Sequence, residues 1–163
     1  MRDKILTLAA LTLGAALLGG CDNNKPAATY ELTPESNQKF LSDNGAQKGV
    51  VTTASGLQYK VLTAGHGKQI HGPDDTVTVT YKGWTIDGHV FDQTGPGQTA
   101  NFPAGHLIRG WVEALKLMHE GDEWQLVIPS KLAYGEAGAG ADIGPNQTLV
   151  FDMKLISVAH SGH

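Results

Sequence analysis

The sequence has 163 residues, a formal net charge of −4 at neutral pH, 21 glycines and a single cysteine. The length suits one domain with a real hydrophobic core, and the acidic balance, without a basic stripe, argues against nucleic acid as the main partner. The glycines follow no three-residue period, which excludes a collagen-like chain, and a single cysteine cannot form an internal disulfide.

The first segment, residues 1–20, is predicted to be a lipoprotein signal peptide. Arg2 and Lys4 precede the uncharged run ILTLAALTLGAALL, which is shorter than the roughly 20 residues of a spanning helix and has the length of a signal-peptide core. The run ends in LLGGC, which resembles the lipobox of bacterial lipoprotein precursors and makes Cys21 the expected lipidation site. The alternative is an ordinary secretory peptide with an incidental cysteine. The aspartate after Cys21 resembles the retention signal of inner-membrane lipoproteins, so we expect a lipid anchor in the cell envelope, on the periplasmic face of the inner membrane.

Residues 21–50 are predicted to be a tether that contains a possible short helix. The run DNNKPAATYELTPES is polar, contains proline and has no apolar period, as is typical of linkers. Thr33 as the N-cap and Pro34 as the first helical residue favour a helix that ends at a glycine. Its weak amphipathic face would come from Phe40 and Leu41.

Residues 51–160 carry the patterns of a folded domain. The runs GLQYKVL, TVTVTYKGW, EWQLVIP and TLVFDMKLISV are strand-like, and an Asp87-Gly88 turn precedes a fifth, short strand. The run WVEALKLMHEG is the one convincing helix, with Gly121 as its stop. One helix on one face of an antiparallel sheet of about five strands predicts an α+β domain.

The sequence lacks the motifs of nucleophilic, phosphate-binding and zinc enzymes. Five of its histidines have no recognised ligand spacing, and the other two, His160 and His163, offer at most a weak metal site, so we expect no metal site and no cofactor. His160 and His163 are expected to lie in a solvated polar tail, and Asp75 is expected to belong to a turn after Pro73.

Aromatic residues stand at the ends of the predicted elements. Trp111 opens the helix directly after a glycine, and Tyr134 lies in a glycine-rich loop. An ordinary aromatic core is the simpler interpretation of such residues. However, an indole loses rotamer freedom at a helix start, and core residues are uncommon in glycine loops. These two positions therefore favour a binding pocket.

Four long segments together resemble the FKBP-type peptidyl-prolyl cis-trans isomerases. They are SGLQYKVL, VTVTYKGWTIDGHVFDQT, FPAGHLIRGWVEALKLMHEGDEWQLVIPSKLAYGEAGAG and IGPNQTLVFDMKLISV, and they follow the order of the family over residues 55–158. The run into the domain also resembles macrophage infectivity potentiator-like proteins. The resemblance implies that residues 51–160 form a strongly twisted antiparallel sheet wrapped around one short α-helix.

The resemblance also implies the site residues. Asp92 and Tyr81 match the polar residues at the pocket rim and are the expected catalytic residues. The expected substrate-binding residues, with Trp111 as the pocket floor, are Phe91, Phe102, Leu107, Ile108, Trp111, Tyr134, Ile143 and Phe151. We expect the Asp92 carboxylate to hold either Tyr81 or Arg109. Because Phe91 and Asp92 are consecutive, both can line a pocket only if their strand is ending there.

Three positions depart from the family pattern, and one of them is Gly144, because IGPN replaces the commoner IPPN. Trp84 stands where a small polar residue is common and is expected to lie outside the pocket. Asp142 stands where an apolar residue is frequent, which predicts altered contacts in the loop before the last strand.

The function implied by the resemblance is peptidyl-prolyl cis-trans isomerisation of X-Pro bonds in exported proteins. Proline-containing client polypeptides would be the substrates, and macrolides of the tacrolimus type would inhibit. We expect a monomer that does not bind nucleic acid. The alternative is a membrane-tethered chaperone or peptide-binding module of the same fold with weak or no isomerase activity.

Overall fold

A computed structural model describes residues 30–162, so the predicted signal peptide, Cys21 and His163 lie outside the described residues. Within residues 30–162 the chain forms two α-helices, two short 3-10 helices and seven strands. The elements are α1 (Pro34–Gly45), β1 (Val50–Thr52), β2 (Gln58–Thr63), β3 (Thr76–Thr85), β4 (Val90–Gln93), β5 (Ala100–Pro103), α2 (Arg109–Leu117), β6 (Glu123–Ile128), the 3-10 helices Ser130–Leu132 and Gly135–Ala137, and β7 (Leu149–Ala159). None of the helices in this described part is both long and apolar enough to cross a membrane.

The seven described strands form one antiparallel sheet in the order β1-β2-β6-β7-β3-β4, and β5 also pairs with β3. Strand β3 is central because it pairs with β7 from Thr76 to Thr85 and also pairs with both β4 and β5. The α+β class and the antiparallel sheet are confirmed. The sheet has two strands more than predicted, β1 and β5, which are only three and four residues long. Such short strands show no readable alternation.

The core lies between the sheet and the buried face of α2. The side chains of Trp111, Ala114 and Leu115 on α2 are buried. They meet apolar residues of β3, β6 and β7 that are at most 5% exposed: Val77, Val79, Trp124, Leu126, Ile128, Leu149, Phe151, Met153 and Leu155. Burial of this apolar area is the main stabilising contribution to the domain.

Helix α2 ends at Leu117, so the predicted stop at Gly121 is wrong. The next residue, Met118, is already extended, with a ψ of 151°. The backbone N–H groups after α2 make hydrogen bonds outside the helix. The Gly121 N–H donates to the Leu155 carbonyl at 2.8 Å, and the His119 N–H donates to the Asp122 carboxylate at 2.6 Å. These contacts with β7 and within the turn replace another helical turn.

Helix α1 forms where it was predicted, and its N-cap is the predicted one. The Thr33 hydroxyl accepts from the Ser36 N–H at 3.2 Å, and the helix begins at Pro34. Its buried side chains, however, are Asn37 and Asn44, whereas the two predicted apolar residues are only half-buried. Polar contacts therefore dock this helix on the domain.

The tail after β7 is exposed at His160, as expected, but contacts with the domain also hold it in place. The His160 ring stacks on His71, with ring centroids 3.9 Å apart, and its Nδ1 lies 3.0 Å from the carboxylate of Asp75. Asp75 is in the predicted turn, is 2% exposed and also accepts from the His71, Gly72 and Ser161 N–H groups. These bonds, led by that from the His71 N–H, hold the pKa of Asp75 well below its usual range. The carboxylate thus anchors the tail.

Candidate active site

A cavity of about 460 Å³ opens between α2, the sheet and the loop before β7. Its lining residues are mostly aromatic, and they are Tyr81, Phe91, Asp92, Phe102, His106, Leu107, Ile108, Trp111, Tyr134 and Phe151. Nine of the ten were predicted as site residues. Widely separated parts of the chain, from β3 to β7, supply them, so only the fold brings them together.

Trp111 forms the buried floor of this cavity. Three rings surround the indole nearly edge-on, with centroid distances of 5.1 Å to Tyr81, 6.0 Å to Phe102 and 5.2 Å to Phe151. Edge-to-face packing of this kind is favourable and holds the indole in one orientation. The preceding residue is Gly110 because a Cβ there would lie 2.5 Å from the Ile128 side chain.

Phe91 and Asp92 both line the cavity although they are consecutive in one strand. In β4, Asp92 pairs with Gly83 of β3, and Val90 pairs with Trp84, the residue that follows Gly83. Phe91 lies between these two pairs and is the extra residue of a β-bulge. The bulge breaks the strict alternation of side chains. The strand also ends here as expected, since β4 stops at Gln93, one residue after Asp92.

Gly83 provides the space for the aromatic wall at this bulge. A Cβ at this position would lie 2.5 Å from the Phe151 ring and 2.8 Å from the Phe91 ring. The two rings meet edge-on with centroids 5.6 Å apart. Trp84, the neighbour of this glycine, is not among the residues that line the cavity, as predicted.

Tyr81 and Asp92 form the polar contact of the rim. The Tyr81 hydroxyl donates to Asp92 Oδ2 at 2.6 Å. Of the two expected partners of Asp92, Tyr81 and Arg109, the structure therefore shows Tyr81. Burial, followed by this hydrogen bond, raises the pKa of Tyr81 well above its usual range. The phenol therefore stays protonated and remains a donor. Arg109, the other candidate partner, donates instead to the Lys131 carbonyl.

The segment before α2 brings Leu107 and Ile108 to the cavity, where both are half-buried. The Ile108 carbonyl accepts from the N–H groups of Trp111 and Val112 at 2.9 and 3.1 Å, which starts the helix. His106, directly before this pair, also lines the cavity and was not predicted. Its position beside the predicted pair was the only signal for it in the sequence.

Residues 133–147, which we call the flap, form the remaining rim. Tyr134 lines the cavity and is 41% exposed. Ile143, predicted as a pocket wall, is 6% exposed in the core and is not among the lining residues. Its main chain pairs with Ala139 inside the flap. Asp142 lies 3.0 Å from His89 Nε2, so this departure from the family pattern joins the flap to the β3–β4 turn.

Comparison with known proteins agrees with this arrangement. The family model described as FKBP-type peptidyl-prolyl cis-trans isomerase matches residues 67–156. The chain belongs to this family. A second family model, described as the domain amino terminal to FKBP-type peptidyl-prolyl isomerase, matches residues 21–61 of this isomerase-family chain.

Curated members of the family are similar over most of the chain. It is 50% identical over 135 residues to a probable FKBP-type peptidyl-prolyl cis-trans isomerase FkpA of Neisseria meningitidis serogroup B. The matched residues cover 82% of this chain and 49% of that protein. It is 50% identical over 125 residues to the peptidyl-prolyl cis-trans isomerase Mip of Coxiella burnetii, covering 76% of this chain and 54% of that one. The chain therefore spans about half the length of these two relatives.

Solved structures of the family share the fold. The crystal structure of a peptidyl-prolyl cis-trans isomerase from Pseudomonas syringae pv. tomato superimposes with a TM-score of 0.71 at 38% identity, covering 77% of this chain and 92% of that one. FkpA from Escherichia coli gives a TM-score of 0.73 at 41% identity, covering 77% of this chain and 58% of that one. The FKBP fold predicted from the sequence is confirmed.

Proposed function

We propose that this chain is a peptidyl-prolyl cis-trans isomerase that twists X-Pro bonds of exported polypeptides in the aromatic cavity. The observation that carries the proposal is the buried Trp111 floor, with the rings of Tyr81, Phe102 and Phe151 packed around it. A cavity of about 460 Å³ lined by rings offers a proline side chain an apolar surface. Membership of the isomerase family supports the same activity.

The mechanism follows from the electronic structure of the amide. Rotation about the bond has a barrier of about 18–20 kcal/mol because it removes amide resonance, and uncatalysed exchange takes tens to hundreds of seconds. The twisted amide is less dipolar than the planar one, so a dry aromatic cavity disfavours the planar form more. Only such differential stabilisation accelerates a reaction. The side chains that line the cavity can supply this differential stabilisation without any other group.

We assign the polar step at the rim to Asp92 and Tyr81. The carboxylate fixes the Tyr81 hydroxyl, and together they would orient the substrate chain and contact the twisted carbonyl. Phe91, Phe102, Tyr134 and Phe151 would enclose the proline. Leu107 and Ile108 would align the substrate backbone beside the start of α2.

The test is a protease-coupled assay with a fluorogenic X-Pro peptide. Wild-type protein should accelerate isomerisation, and Trp111→Leu should abolish most of that acceleration. Trp84→Leu is the matched control, because Trp84 is a tryptophan that the cavity does not include. Wild-type protein that binds the peptide without accelerating isomerisation would refute the proposal and favour the chaperone or peptide-binding module.

We propose further that the protein is a lipoprotein of the cell envelope, anchored through Cys21 on the periplasmic face of the inner membrane. The basic start, the uncharged run and LLGGC support this. One relative, 46% identical over 139 residues, is named outer membrane protein MIP, from Legionella longbeachae.

We also propose that macrolides of the tacrolimus type bind the cavity and inhibit, because the aromatic set that would enclose a proline is complete. Titration of the assay with the drug tests this, and an active enzyme that resists saturating drug would contradict it. The expected monomer is tested by light scattering of the protein without its lipid.

A further inference from the structure

The fully buried side chains of helix α1 are two asparagines, whereas its apolar residues Phe40 and Leu41 are only half-buried. Asn37 is 5% exposed and Asn44 is 7% exposed. The Asn44 amide donates to Gln58 Oε1 at 2.7 Å, and the Gln58 amide donates to the Leu41 carbonyl at 2.8 Å. Buried amides must be hydrogen-bonded, so each asparagine specifies one position of the helix. Asn44 specifies contact with β2.

Asn37 makes the corresponding contact at the base of the flap. Its Oδ1 accepts from the Thr148 N–H at 2.8 Å, and its Nδ2 donates to Gln147 Oε1 at 3.2 Å and to the Thr33 carbonyl at 2.9 Å. The Gln147 amide in turn donates to the Leu32 carbonyl at 3.4 Å and to a carbonyl of the flap itself at 3.0 Å. The residues on both sides of the junction between flap and β7 are thus bonded to α1 and the segment before it.

The same junction is joined to the pocket rim. The Asn146 N–H donates to the Gly135 carbonyl at 2.8 Å, which ties the end of the flap to its beginning. Gly135 directly follows Tyr134, which lines the cavity. Asn37 is therefore connected to the neighbour of a rim tyrosine by its hydrogen bonds to residues 147 and 148, the adjoining chain and the bond from Asn146 to Gly135.

We propose that Asn37 is a positioning residue for the pocket: α1 clamps the base of the flap and so holds Tyr134 at the rim. This rests on the isomerase function proposed above. Loops open locally at low cost when few contacts hold them. A flap released at its base populates fewer binding-competent states, which weakens apparent substrate affinity in proportion. The effect should therefore fall on KM more than on kcat.

The test compares Asn37→Ala with Asn44→Ala, since both remove a buried asparagine amide from the same helix. We expect both variants to melt earlier than wild type. Only Asn37→Ala should raise KM for an X-Pro peptide, by at least threefold with kcat within twofold. Only Asn37→Ala should also increase hydrogen–deuterium exchange across residues 133–146. Asn37→Asp keeps the acceptor for the Thr148 N–H but places a carboxylate oxygen against the Thr33 carbonyl and Gln147 Oε1, so it should not restore the protection.

Two results would overturn the proposal. One is an equal rise of KM in both alanine variants, which would mean that helix docking acts only through general stability. The other is wild-type KM and flap exchange in Asn37→Ala. If Asn37→Ala fails to fold, Gln147→Ala probes the same junction from the flap side with the same expectations. If wild-type protein proves to have no isomerase activity, the proposed function fails, and the exchange comparison alone still decides whether Asn37 positions the flap.

Discussion

Replacing Asp92 by leucine should lower kcat/KM for X-Pro isomerisation at least tenfold while the fold stays intact. The Tyr81 hydroxyl donates to Asp92 Oδ2 at 2.6 Å, a length typical of a hydrogen bond to an ionised acceptor. Leucine has a similar size and removes both the acceptor and the charge. Losing a hydrogen bond to a charged group costs about 1.5–3 kcal/mol, which is a factor of roughly 10 to 150 in rate if the contact acts in the transition state.

The thermal midpoint of the Asp92→Leu variant should change only slightly. Asp92 is exposed, so water can accept from the Tyr81 hydroxyl once the carboxylate is gone. The Tyr81 ring stays packed edge-on against Trp111, with centroids 5.1 Å apart, and does not need the hydroxyl for this contact. The Asp92→Leu variant should therefore lose activity while it keeps nearly the thermal stability of the wild type.

Two further variants identify the source of the loss. Tyr81→Phe keeps the ring and removes the donor, and Asp92→Asn keeps an acceptor oxygen and removes the charge. If Tyr81 and Asp92 act as one unit, the Tyr81→Phe/Asp92→Leu double variant should lose little more activity than either single variant. Activity of Asp92→Leu within twofold of wild type would refute the reasoning, and catalysis would then rest on the apolar cavity alone.

Three other changes have defined outcomes. Cys21→Ala should abolish labelling by radioactive palmitate and release the protein from membranes, and persistent labelling would contradict the lipobox. Asp142→Ala should change macrolide inhibition less than about fivefold, because its pair with His89 is more than half exposed on both sides and such pairs contribute about 0.2–1 kcal/mol. Asp75→Asn should melt earlier than wild type at pH 7. Because the pKa of Asp75 is lowered by folding, its stabilisation is present above the ordinary carboxyl pKa of about 3.9. The gap in melting temperature should shrink as the pH falls below that value, and a gap independent of pH would refute this role.

The strands that the sequence predicted are those with readable alternation, together with β4, which the Asp87-Gly88 turn before it indicated. β3 and β7 have ten and eleven residues, enough for a period of two to be read from the residues alone. β1 and β5 are short and exist because a neighbouring strand pairs with them. The end of α2 was placed too late because the carbonyl of Leu155, far along the chain, takes the Gly121 N–H. Long-range pairing of this kind leaves no local signal.

The site was predicted through its residue types, and its geometry was not. The family pattern supplied nine of the ten lining residues of the cavity. The bulge that turns Phe91 and Asp92 to the same side depends on the register between β3 and β4, which alternation does not reveal. Asn37 was missed for a related reason, since a polar helix residue reads as exposed until its partners at residues 147 and 148 are known.

The cavity combines a rigid floor with an adaptable rim. Trp111 and Phe151 are at most 4% exposed and lie on α2 and β7. Close packing in the core holds each of these rings in one conformation. Tyr134, Asp92 and His106 are exposed, and two of the three lie in connecting segments. A floor fixed in this way can exclude water from the amide in every substrate, whereas a rim of exposed side chains can accept different residues beside the proline. Substitutions in the floor should therefore lower stability and turnover together, and substitutions in the rim should change the preference among substrates while the melting temperature is kept.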